Sequence, residues 1–580
     1  MKIKYTDEKN IQILIALLKR HSIKKVVASP GGTNVTLVRS LQNDPYFEMY
    51  SAVDERSAAY MACGLAEESG EPVVLSCTGA TASRNYMPGL TEAFYKKLPV
   101  LSVTSSQDIS KIGHLTPQLI DRTVMPNDVV KHSVHLPLVK DSDDFWSCEI
   151  KVNNAILELV RHGGGPVHIN LTTAYSKNFE VEKLPDVRVI KRIMPIDIFP
   201  EMTERKVAIF VGSHSKMSQE LTQAVDDFCA SNNAVVFCDH TSGHYGKYKV
   251  VHSLASSQIY SNYRGMTPDL SIHIGEVTGD YGAGKIIGRN VWRVSEDGEI
   301  RDTFRKLQYV FEMPEIEFFK KYTKQKDKKN EQYLTLCKEH LEKLYEEIPE
   351  IPFSNLWVAK KSHKIVPKNS VLHFAILNSL RSWNYFELPK SVESNSNVGG
   401  FGIDGCVSSL IGASLVHKDK LYFGVIGDLA FFYDMNSIGN RHVGNNLRIL
   451  LINNGTGIEF RNFNHSASAF GESADEFHAA GGHFGNKSKT LVKNYCQNLR
   501  FEYLSASNKE EFEKVYERFF TENITDKPML FEVFTNSDEE SNALETMMSF
   551  SKTSNAKAKN AIRGILGEKG VKAIKGILGK

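Results

Sequence analysis

An aspartate and an asparagine, each placed directly after an apolar run, are the strongest chemical signal in this sequence. Asp428 follows LYFGVIG, and Asn454 follows LRILLIN with a separation of 26 positions. Adjacent parallel strands would bring both residues to one sheet edge, where ligands bind. There the two side chains and the backbone carbonyl of Thr456 could share one Mg²⁺ with diphosphate oxygens and water. The alternative is a plain Gly-Asp turn followed by an Asn-Asn loop, which the strand context disfavours.

A glycine-rich segment at residues 396–405, SNVGGFGIDG, precedes a helical pattern. Backbone N–H groups in such a segment can approach phosphates closely, although many glycine-rich loops are only flexible turns. Ile403 adds a bulky aliphatic side chain that could support a ring system in a bent conformation. The cofactor contacts predicted in this half of the chain are Asn397, Gly399, Ile403, Gly427, Asp428 and Leu429.

Glu55 is the second chemical signal, and it lies almost four hundred residues away in a strand-to-helix junction. The sequence FEMYSAVDERSAAYMACGLA places Glu55 at the start of a helix. An ordinary surface glutamate stabilised by the helix dipole is the alternative. Together with a distant metal-diphosphate site, however, Glu55 has the character of a carboxylate that activates a heterocycle.

The two signals together resemble the thiamine diphosphate (ThDP) enzymes, in which a Glu and a metal-diphosphate site hold opposite ends of the cofactor. This resemblance implies that ThDP and Mg²⁺ are the cofactors. It also implies that Glu55 hydrogen-bonds the aminopyrimidine ring and promotes the tautomer that removes the thiazolium C2 proton. The cofactor would then act as the electron sink for decarboxylation of a 2-oxo acid.

Within that superfamily, most of residues 1–540 are similar to SEPHCHC synthase, the menaquinone-pathway carboligase family that joins 2-oxoglutarate to isochorismate. The resemblance identifies Gln118, in LTPQLIDR, as an active-site glutamine, and it implies cofactor contacts at Thr78, Gly79 and Asn85. It assigns ring support to Ile403. The segments that carry it are VDERSAAYMACGLA, CTGATASRNYMPGL, SNVGGFGIDG, GDLAFFYDMN and the NN-x3-IEF pattern.

The chain departs from this family at the substrate-binding arginines. Four positions where the family has arginine match SPGGTN, TSSQD, NSLRSW and SNVGG, at Thr33/Asn34, Gln107, Trp383 and Val398. Bidentate arginine is the natural partner of a carboxylate. Arg381 and Arg84 lie nearby in sequence without restoring the set. We infer that the cofactor machinery is retained and that the acceptor pocket is rebuilt for a less anionic substrate.

Further substrate contacts are predicted in the loop after Asn454. Glu459 resembles, by its placement, the protonating acid of 2-oxo acid decarboxylases. His465 could act as a proton shuttle. An ordinary structural role remains open for any single histidine of the 19. The full set of candidates here is Glu459, Arg461, Asn464, His465, His478 and His483.

Apolar β-branched runs alternate with helical patterns, which predicts an α/β fold of three doubly wound parallel-sheet domains. The resemblance names the first a pyrimidine-binding domain and the third a diphosphate- and Mg-binding domain. Between them, the glycine at the end of KVAIFVG is weak evidence for a nucleotide, and a purely structural central domain is the alternative. The predicted ranges are 1–185, 200–330 and 350–545, followed by a basic amphipathic tail at 552–580.

The composition is that of a globular protein, with 41% hydrophobic and 24% charged residues. The eight cysteines form no CxxC pair, and the N-terminus lacks a signal-peptide pattern, so a cytoplasmic location is expected. Nothing in the sequence points to a nucleic-acid partner. The tail carries eight Lys/Arg against one Glu, and residues 557–580 suit an anionic membrane surface or a partner groove. Docking of the tail onto the parent protein, or its disorder, remains open.

Three functional hypotheses follow. The first is a ThDP- and Mg-dependent carboligase that decarboxylates a 2-oxo acid and passes the acyl carbanion to an unidentified acceptor other than isochorismate. The second is a simple decarboxylase that releases an aldehyde. The third is a non-catalytic scaffold with the same fold. By resemblance, the protein is expected to be a homodimer or homotetramer whose sites are assembled from two subunits.

Overall fold

The computed structural model describes residues 2–260, 265–323, 330–483 and 487–551. The basic tail at 552–580 lies outside these residues, so the membrane or partner attachment predicted for it stays a prediction. Among the described residues, no helix is both long and apolar enough to cross a membrane.

The chain forms two compact units, each described here by itself. Unit 1 comprises Met1–Ile198 and Asp297–Glu312, and unit 2 comprises Phe199–Glu296 and Met313–Lys580, as far as these residues are described. The predicted ranges 1–185 and 350–545 therefore fall in different units. The predicted central range is divided, because a short segment of it belongs to unit 1.

Unit 1 contains a six-stranded parallel sheet with strand order β2-β1-β3-β4-β6-β5. Its strands are β1 (Lys25–Ala28), β2 (Glu48–Ser51), β3 (Val73–Thr78), β4 (Val100–Ser106), β5 (His132–Leu136) and β6 (Val167–Thr172). Unit 1 also contains β7 (Lys191–Ile193) and β13 (Leu307–Glu312), which pair with each other in parallel. The helices are α1 (Lys9–Arg20), α2 (Val35–Gln42), α3 (Glu55–Ser69), α4 (Thr81–Asn85), α5 (Met87–Lys96) and α6 (Ser142–Glu158).

Helices cover both faces of this sheet, because its strands are apolar on both sides. Side chains of α1, α2 and α6 pack on one face, and those of α3 and α5 pack on the other. Strand β4 is buried at all seven positions. Such burial on both faces is the property of a parallel α/β sheet, whose ligands bind beyond the carboxyl ends of the strands.

In the first part of unit 2, five parallel strands have the order β10-β9-β8-β11-β12. The strands are β8 (Val207–Val211), β9 (Ala234–Cys238), β10 (Lys249–Val251), β11 (Leu270–Ile274) and β12 (Asn290–Ser295). The helices of this part are α7 (Gln219–Asn232), α8 (Ser253–Ser257), α9 (Glu315–Tyr322) and α10 (Gln332–Glu346).

The second part of unit 2 contains a six-stranded parallel sheet with strand order β15-β14-β16-β17-β19-β18. Its strands are β14 (Val371–Phe374), β15 (Glu393–Ser396), β16 (Tyr422–Gly427), β17 (Leu447–Asn453), β18 (Glu502–Ala506) and β19 (Met529–Phe534). The helices are α11 (Asn355–Ser362), α12 (Asn378–Asn384), α13 (Cys406–Ser414), α14 (Asp428–Asp434), α15 (Leu491–Asn498), α16 (Lys509–Phe519) and α17 (Ser537–Ser549).

The predicted α/β class with three parallel sheets is confirmed. All eight cysteines are buried and free of disulfides. Burial raises the pKa of Cys77 and of Cys496 to about 12, so both thiols stay protonated at neutral pH. These cysteines are core residues of the fold.

Candidate functional site

The predicted adjacency of Asp428 and Asn454 is present in unit 2. Strands β16 and β17 are parallel neighbours, with Gly427 paired to Ile452. Asp428 begins α14 directly after β16, and Asn454 follows the end of β17. Both side chains are buried, and both residues line a cavity of about 90 Å³ at the carboxyl ends of these strands. We call it the strand-end cavity.

The Asp428 carboxylate is held in place by backbone N–H groups. Oδ1 accepts a hydrogen bond from the Leu429 N–H at 2.8 Å, and Oδ2 accepts one from the Gly455 N–H at 2.6 Å. Burial raises the pKa of Asp428 to about 7, while these backbone hydrogen bonds act in the opposite direction. A bound cation would favour the charged carboxylate.

Asn454 and Thr456 form a tight turn next to this carboxylate. The Asn454 Oδ1 accepts from the Thr456 N–H at 3.1 Å and from the Thr456 hydroxyl at 3.0 Å. Among the described residues there is no group of three or more His, Cys, Asp or Glu side chains that could hold a metal. A cation here would therefore depend on amide, carbonyl and non-protein oxygens, as Mg²⁺ sites commonly do.

The strand-end cavity collects most of the residues predicted for this half of the chain. Predicted residues that line it are Ile403, Gly427, Asp428, Leu429, Asn454, Thr456 and Glu459. Asn397 and Gly399 are not among its lining residues. Asn397 instead donates from Nδ2 to the Ser409 hydroxyl at 3.0 Å, which ties the glycine-rich segment to α13.

In unit 1, the predicted residues lie at or near the carboxyl ends of β2 and β3. Glu55 is the first residue of α3, a helix capped by Asp54, whose carboxylate accepts from the Ser57 N–H at 2.8 Å. Glu55 is half-buried. Burial raises the pKa of Cys77 and of Tyr86, and the nearby Glu55 adds to this effect.

Gly79 sits where three segments of unit 1 converge after β3. A Cβ atom at this position would lie 3.0 Å from the Arg122 Nη1 and 3.3 Å from the carbonyl oxygens of Gln118 and Ser105. A larger residue would therefore push these groups apart. Thr78 shares the site through its hydroxyl, which accepts from the backbone N–H of Thr33 at 3.3 Å.

Gln118 and Asn85 are the exposed members of this set. Gln118 has a left-handed backbone with φ of 61° in the loop before β5, and its side chain is exposed. Asn85 is the last residue of α4 and is also exposed. Both lie near the β3 end with their side chains accessible.

Comparison with known proteins identifies the family. Residues 9–125 match the model of the thiamine pyrophosphate enzyme N-terminal TPP binding domain. The chain is 31% identical over 569 residues to the 2-succinyl-5-enolpyruvyl-6-hydroxy-3-cyclohexene-1-carboxylate synthase of Bacteroides thetaiotaomicron, covering 93% of this chain and 98% of the relative. Proteins of the same name from Bacteroides fragilis and Phocaeicola vulgatus are also 31% identical, with the same coverage.

The chain belongs to this synthase family. It is a ThDP-dependent enzyme of the carboligase and lyase type, and both the family and the cofactor expected from its motifs are confirmed.

Three of the four positions where the synthase arginines are expected are occupied by buried residues. Trp383 is fully buried, Val398 is 2% exposed and Thr33 is 6% exposed. At the fourth position, the Gln107 Oε1 accepts a hydrogen bond from the Lys111 ammonium at 2.7 Å. Buried Trp, Val and Thr side chains cannot replace a guanidinium that binds a carboxylate.

Beside the strand-end cavity, unit 2 contains a second cavity of about 260 Å³, which we call the side cavity. Glu459 lines both cavities. Its Oε1 accepts from the Arg381 Nη2 at 2.9 Å, and its Oε2 accepts from the Asn462 Nδ2 at 3.3 Å. The side cavity is also lined by Asp280, Tyr281, Lys285, Asn384, Asn464 and His465.

His465 shares the side cavity with Glu459, whereas other predicted residues of this loop lie elsewhere. The His465 Nδ1 accepts from the Ala467 N–H at 3.1 Å, which caps the following turn. Arg461 pairs with Asp475 at 3.3 Å and is not a lining residue. His478 stacks on the Phe470 ring.

Sequence reasoning did not predict Arg122, Asp280, Lys285 or Asn384 as site residues. Arg381 lies two positions before Trp383, where the family is expected to have an arginine, and the sequence gives it no role. Arg122 is 2% exposed at the β3 end, and burial lowers its pKa to about 10. Its Nη2 donates to the Asn170 Oδ1 at 2.8 Å. No motif marks these residues, because they come from separate segments of the chain.

Glu540 is a buried carboxyl group that supports the wall of the strand-end cavity. Its Oε1 accepts from the backbone N–H of Asn355, a lining residue, at 2.9 Å and from the Thr535 hydroxyl at 2.8 Å. Burial raises the pKa of Glu540 to about 7.

The raised pKa of Glu540 predicts a pH-dependent stability. The native protein keeps this proton up to a pH of about 7, whereas the unfolded chain releases it near the ordinary value of 4.5. The free energy of unfolding should therefore fall as the pH rises between these values. Glu540→Gln keeps an oxygen for both hydrogen bonds and removes the contribution of this group to the pH dependence. Thermal unfolding of both proteins across this range should show the variant gaining stability relative to wild type as the pH rises, and parallel curves would contradict the assignment.

Proposed function

We propose that this enzyme uses ThDP and Mg²⁺ to decarboxylate a 2-oxo acid and to transfer the resulting acyl group to an acceptor other than isochorismate. The observation that supports it most is the strand-end cavity, which combines a buried Asp428 with Asn454, Thr456 and Ile403. Bound ThDP supplies the electron sink that makes decarboxylation of a 2-oxo acid possible.

The residues of the strand-end cavity fit a metal-bound diphosphate. Asp428 is a buried carboxylate whose hydrogen-bond partners are backbone N–H groups. A buried negative charge of this kind is costly unless a cation accompanies it. Asp428, Asn454 and the Thr456 carbonyl would bind Mg²⁺, and Ile403 would support the cofactor ring.

In unit 1, Glu55 would act on the aminopyrimidine end of the cofactor. It begins a helix directly beyond the end of a parallel strand, where ligands of α/β folds bind. Its carboxyl group would hydrogen-bond the ring nitrogen and exchange a proton with it. Gly79 would let the backbone approach the cofactor, and Gln118 would contact the substrate.

An acceptor other than isochorismate is supported by the absence of arginine from the four positions where the family has it. Thr33, Trp383 and Val398 are buried and uncharged, so they offer no positive charge for a dicarboxylate. Simple decarboxylation is the second candidate. It is favoured by Glu459, a carboxyl group that lines both cavities and could protonate the acyl unit.

Calorimetric titration with ThDP tests the cofactor site. We expect wild-type protein to bind ThDP tightly only with Mg²⁺, and Asp428→Asn to weaken binding by about tenfold or more, because a charged metal ligand is lost. Asp419→Asn, which changes an exposed aspartate of unit 2 outside the strand-end cavity, is a matched control. Equal ThDP affinity with and without Mg²⁺ in the wild type would contradict the metal site.

Product analysis tests the reaction. Purified enzyme with ThDP, Mg²⁺ and a panel of 2-oxo acids should release carbon dioxide. A product with the summed mass of acyl group and acceptor should appear only when a suitable aldehyde or ketone is added. Free aldehyde with every acceptor would favour the simple decarboxylase.

Glu55→Gln should lower turnover by about a hundredfold or more, since proton transfer contributes that much, while the unfolding temperature stays unchanged. Near-normal turnover in this variant would exclude the proposed role of Glu55.

Mixed variants test whether a second copy of the chain completes each site, as expected for a homo-oligomer. Glu55→Gln and Asp428→Asn are each expected to be inactive alone. If Glu55 of one copy serves the metal site of another, mixed dimers contain one fully wild-type site, and about a quarter of the wild-type activity returns after random reassociation. No recovery after verified subunit exchange would indicate that each chain forms its own site.

A further inference from the structure

The side cavity is built from two separate segments of the first part of unit 2 together with helix α12, and it adjoins the strand-end cavity through Glu459. Its volume of about 260 Å³ gives room for a small molecule. It contains charges of both signs. Lys285 and Arg381 supply the positive charges, and Asp280 and Glu459 supply the negative ones.

Two hydrogen-bond donors of this cavity have no partner among the described residues. Arg381 uses its Nη2 in the ion pair with Glu459, and its Nη1 is buried without a hydrogen bond. The Asn384 side chain accepts at Oδ1 from the His240 N–H at 3.0 Å, and its Nδ2 is buried without a hydrogen bond. Buried donors in native proteins are normally satisfied, so both atoms point to a ligand that carries acceptor oxygens.

A hydrogen-bond acceptor without a partner also belongs to this cavity. Asp280 uses its Oδ1 to accept from the Gly282 N–H at 2.7 Å. Its Oδ2 is buried without a hydrogen bond among the described residues, and the His252 Nδ1 is 3.6 Å away. A carboxylate oxygen in this state attracts a hydroxyl donor and repels a second carboxylate.

We propose that the side cavity recognises a hydroxylated monocarboxylate. The carboxylate of the substrate would bind Arg381 Nη1 and Asn384 Nδ2, and a hydroxyl group of the same molecule would donate to Asp280. The Tyr281 ring, whose centroid lies 5.8 Å from the Arg381 guanidinium carbon, would cover the ligand from one side. A dicarboxylate would place its second negative charge against Asp280 or Glu459.

The inference rests on the proposed function only in that the side cavity adjoins the cofactor site. It explains how a chain without the family's arginine set can still bind an acid. The positive charges of Arg381 and Lys285 are matched by the negative charges of Glu459 and Asp280, so a single carboxylate fits the cavity better than a dicarboxylate. Hydroxyl recognition by Asp280 then supplies the specificity that the missing arginines would otherwise provide.

Calorimetric titration of the full-length protein, loaded with ThDP and Mg²⁺, tests this proposal with three probes. D-gluconate carries one carboxylate and several hydroxyls, D-glucitol is its uncharged counterpart, and succinate is a dicarboxylate without hydroxyls. We expect gluconate to bind at least about tenfold more tightly than either of the others, because only it satisfies both the donors and Asp280.

Variants assign the binding to the named groups. Arg381→Gln should weaken gluconate binding by about tenfold and leave glucitol binding unchanged. Asp280→Asn should weaken gluconate binding and strengthen succinate binding, because the repulsion is removed. Arg381→Gln combined with Glu459→Gln removes the ion pair as a whole, which protects the test against misfolding of the single variant. Arg518→Gln, which breaks a surface pair with Glu502, is the matched control and should bind like wild type.

Three results would overturn the inference: equal binding of the three probes, absence of gluconate binding in the wild type, or unchanged gluconate binding in the Arg381 variants. Titration of a cofactor-free preparation of each protein with ThDP in the presence of Mg²⁺ separates this outcome from failure of the proposed function. Loss of gluconate selectivity with intact ThDP binding and carbon dioxide release refutes only the side-cavity proposal. Gluconate selectivity without ThDP binding or carbon dioxide release refutes only the proposed reaction.

Discussion

The burial of one carboxylate at the end of a parallel strand is the constraint around which the second half of this protein is organised. Asp428 lies 4% exposed at the junction of β16 and α14, where two backbone N–H groups orient both of its oxygens. A charge in this position is unfavourable without a counterion. The apolar strands β16 and β17 impose this position, because they are buried along nearly their whole length and end at the same sheet edge. The cost of this burial is the physical reason for the cation that we propose at this site.

Other buried carboxylates around the two cavities are stabilised in different ways. Glu459 is paired with a guanidinium, and Glu540 accepts from a backbone N–H and a hydroxyl while its pKa rises to about 7. Asp280 keeps one oxygen without a hydrogen bond among the described residues. These differences give each group a distinct chemical character, since an ion-paired carboxylate, a desolvated carboxyl group and a carboxylate with an unsatisfied oxygen attract different partners.

The strands predicted from the sequence lie mostly inside their sheets, although the edge strand β2 is also predicted, from FEMYSAV. β1, β3, β4, β16, β17 and β19 all carry apolar runs, because strands flanked on both sides are buried on both faces. Sequence reasoning missed β5, β15 and β18, which lie at sheet edges. β15 has the sequence ESNS and contains no apolar residue, so only its backbone pairing with β14 defines it. Edge strands need little burial and therefore leave little trace in hydrophobicity.

The sequence by itself determined the fold class, the family, the cofactor and the pairing of Asp428 with Asn454, because each depends on local signals: an apolar run, a glycine-rich segment or a contiguous motif. Only the tertiary structure decided that Trp383 and Val398 are buried, that Arg381 pairs with Glu459, and that Asp280 and Asn384 line the same cavity. These residues come from segments as much as 179 positions apart, from Asp280 to Glu459. Long-range packing brings them together, and no spacing along the chain encodes which side chain is left with an unsatisfied hydrogen bond.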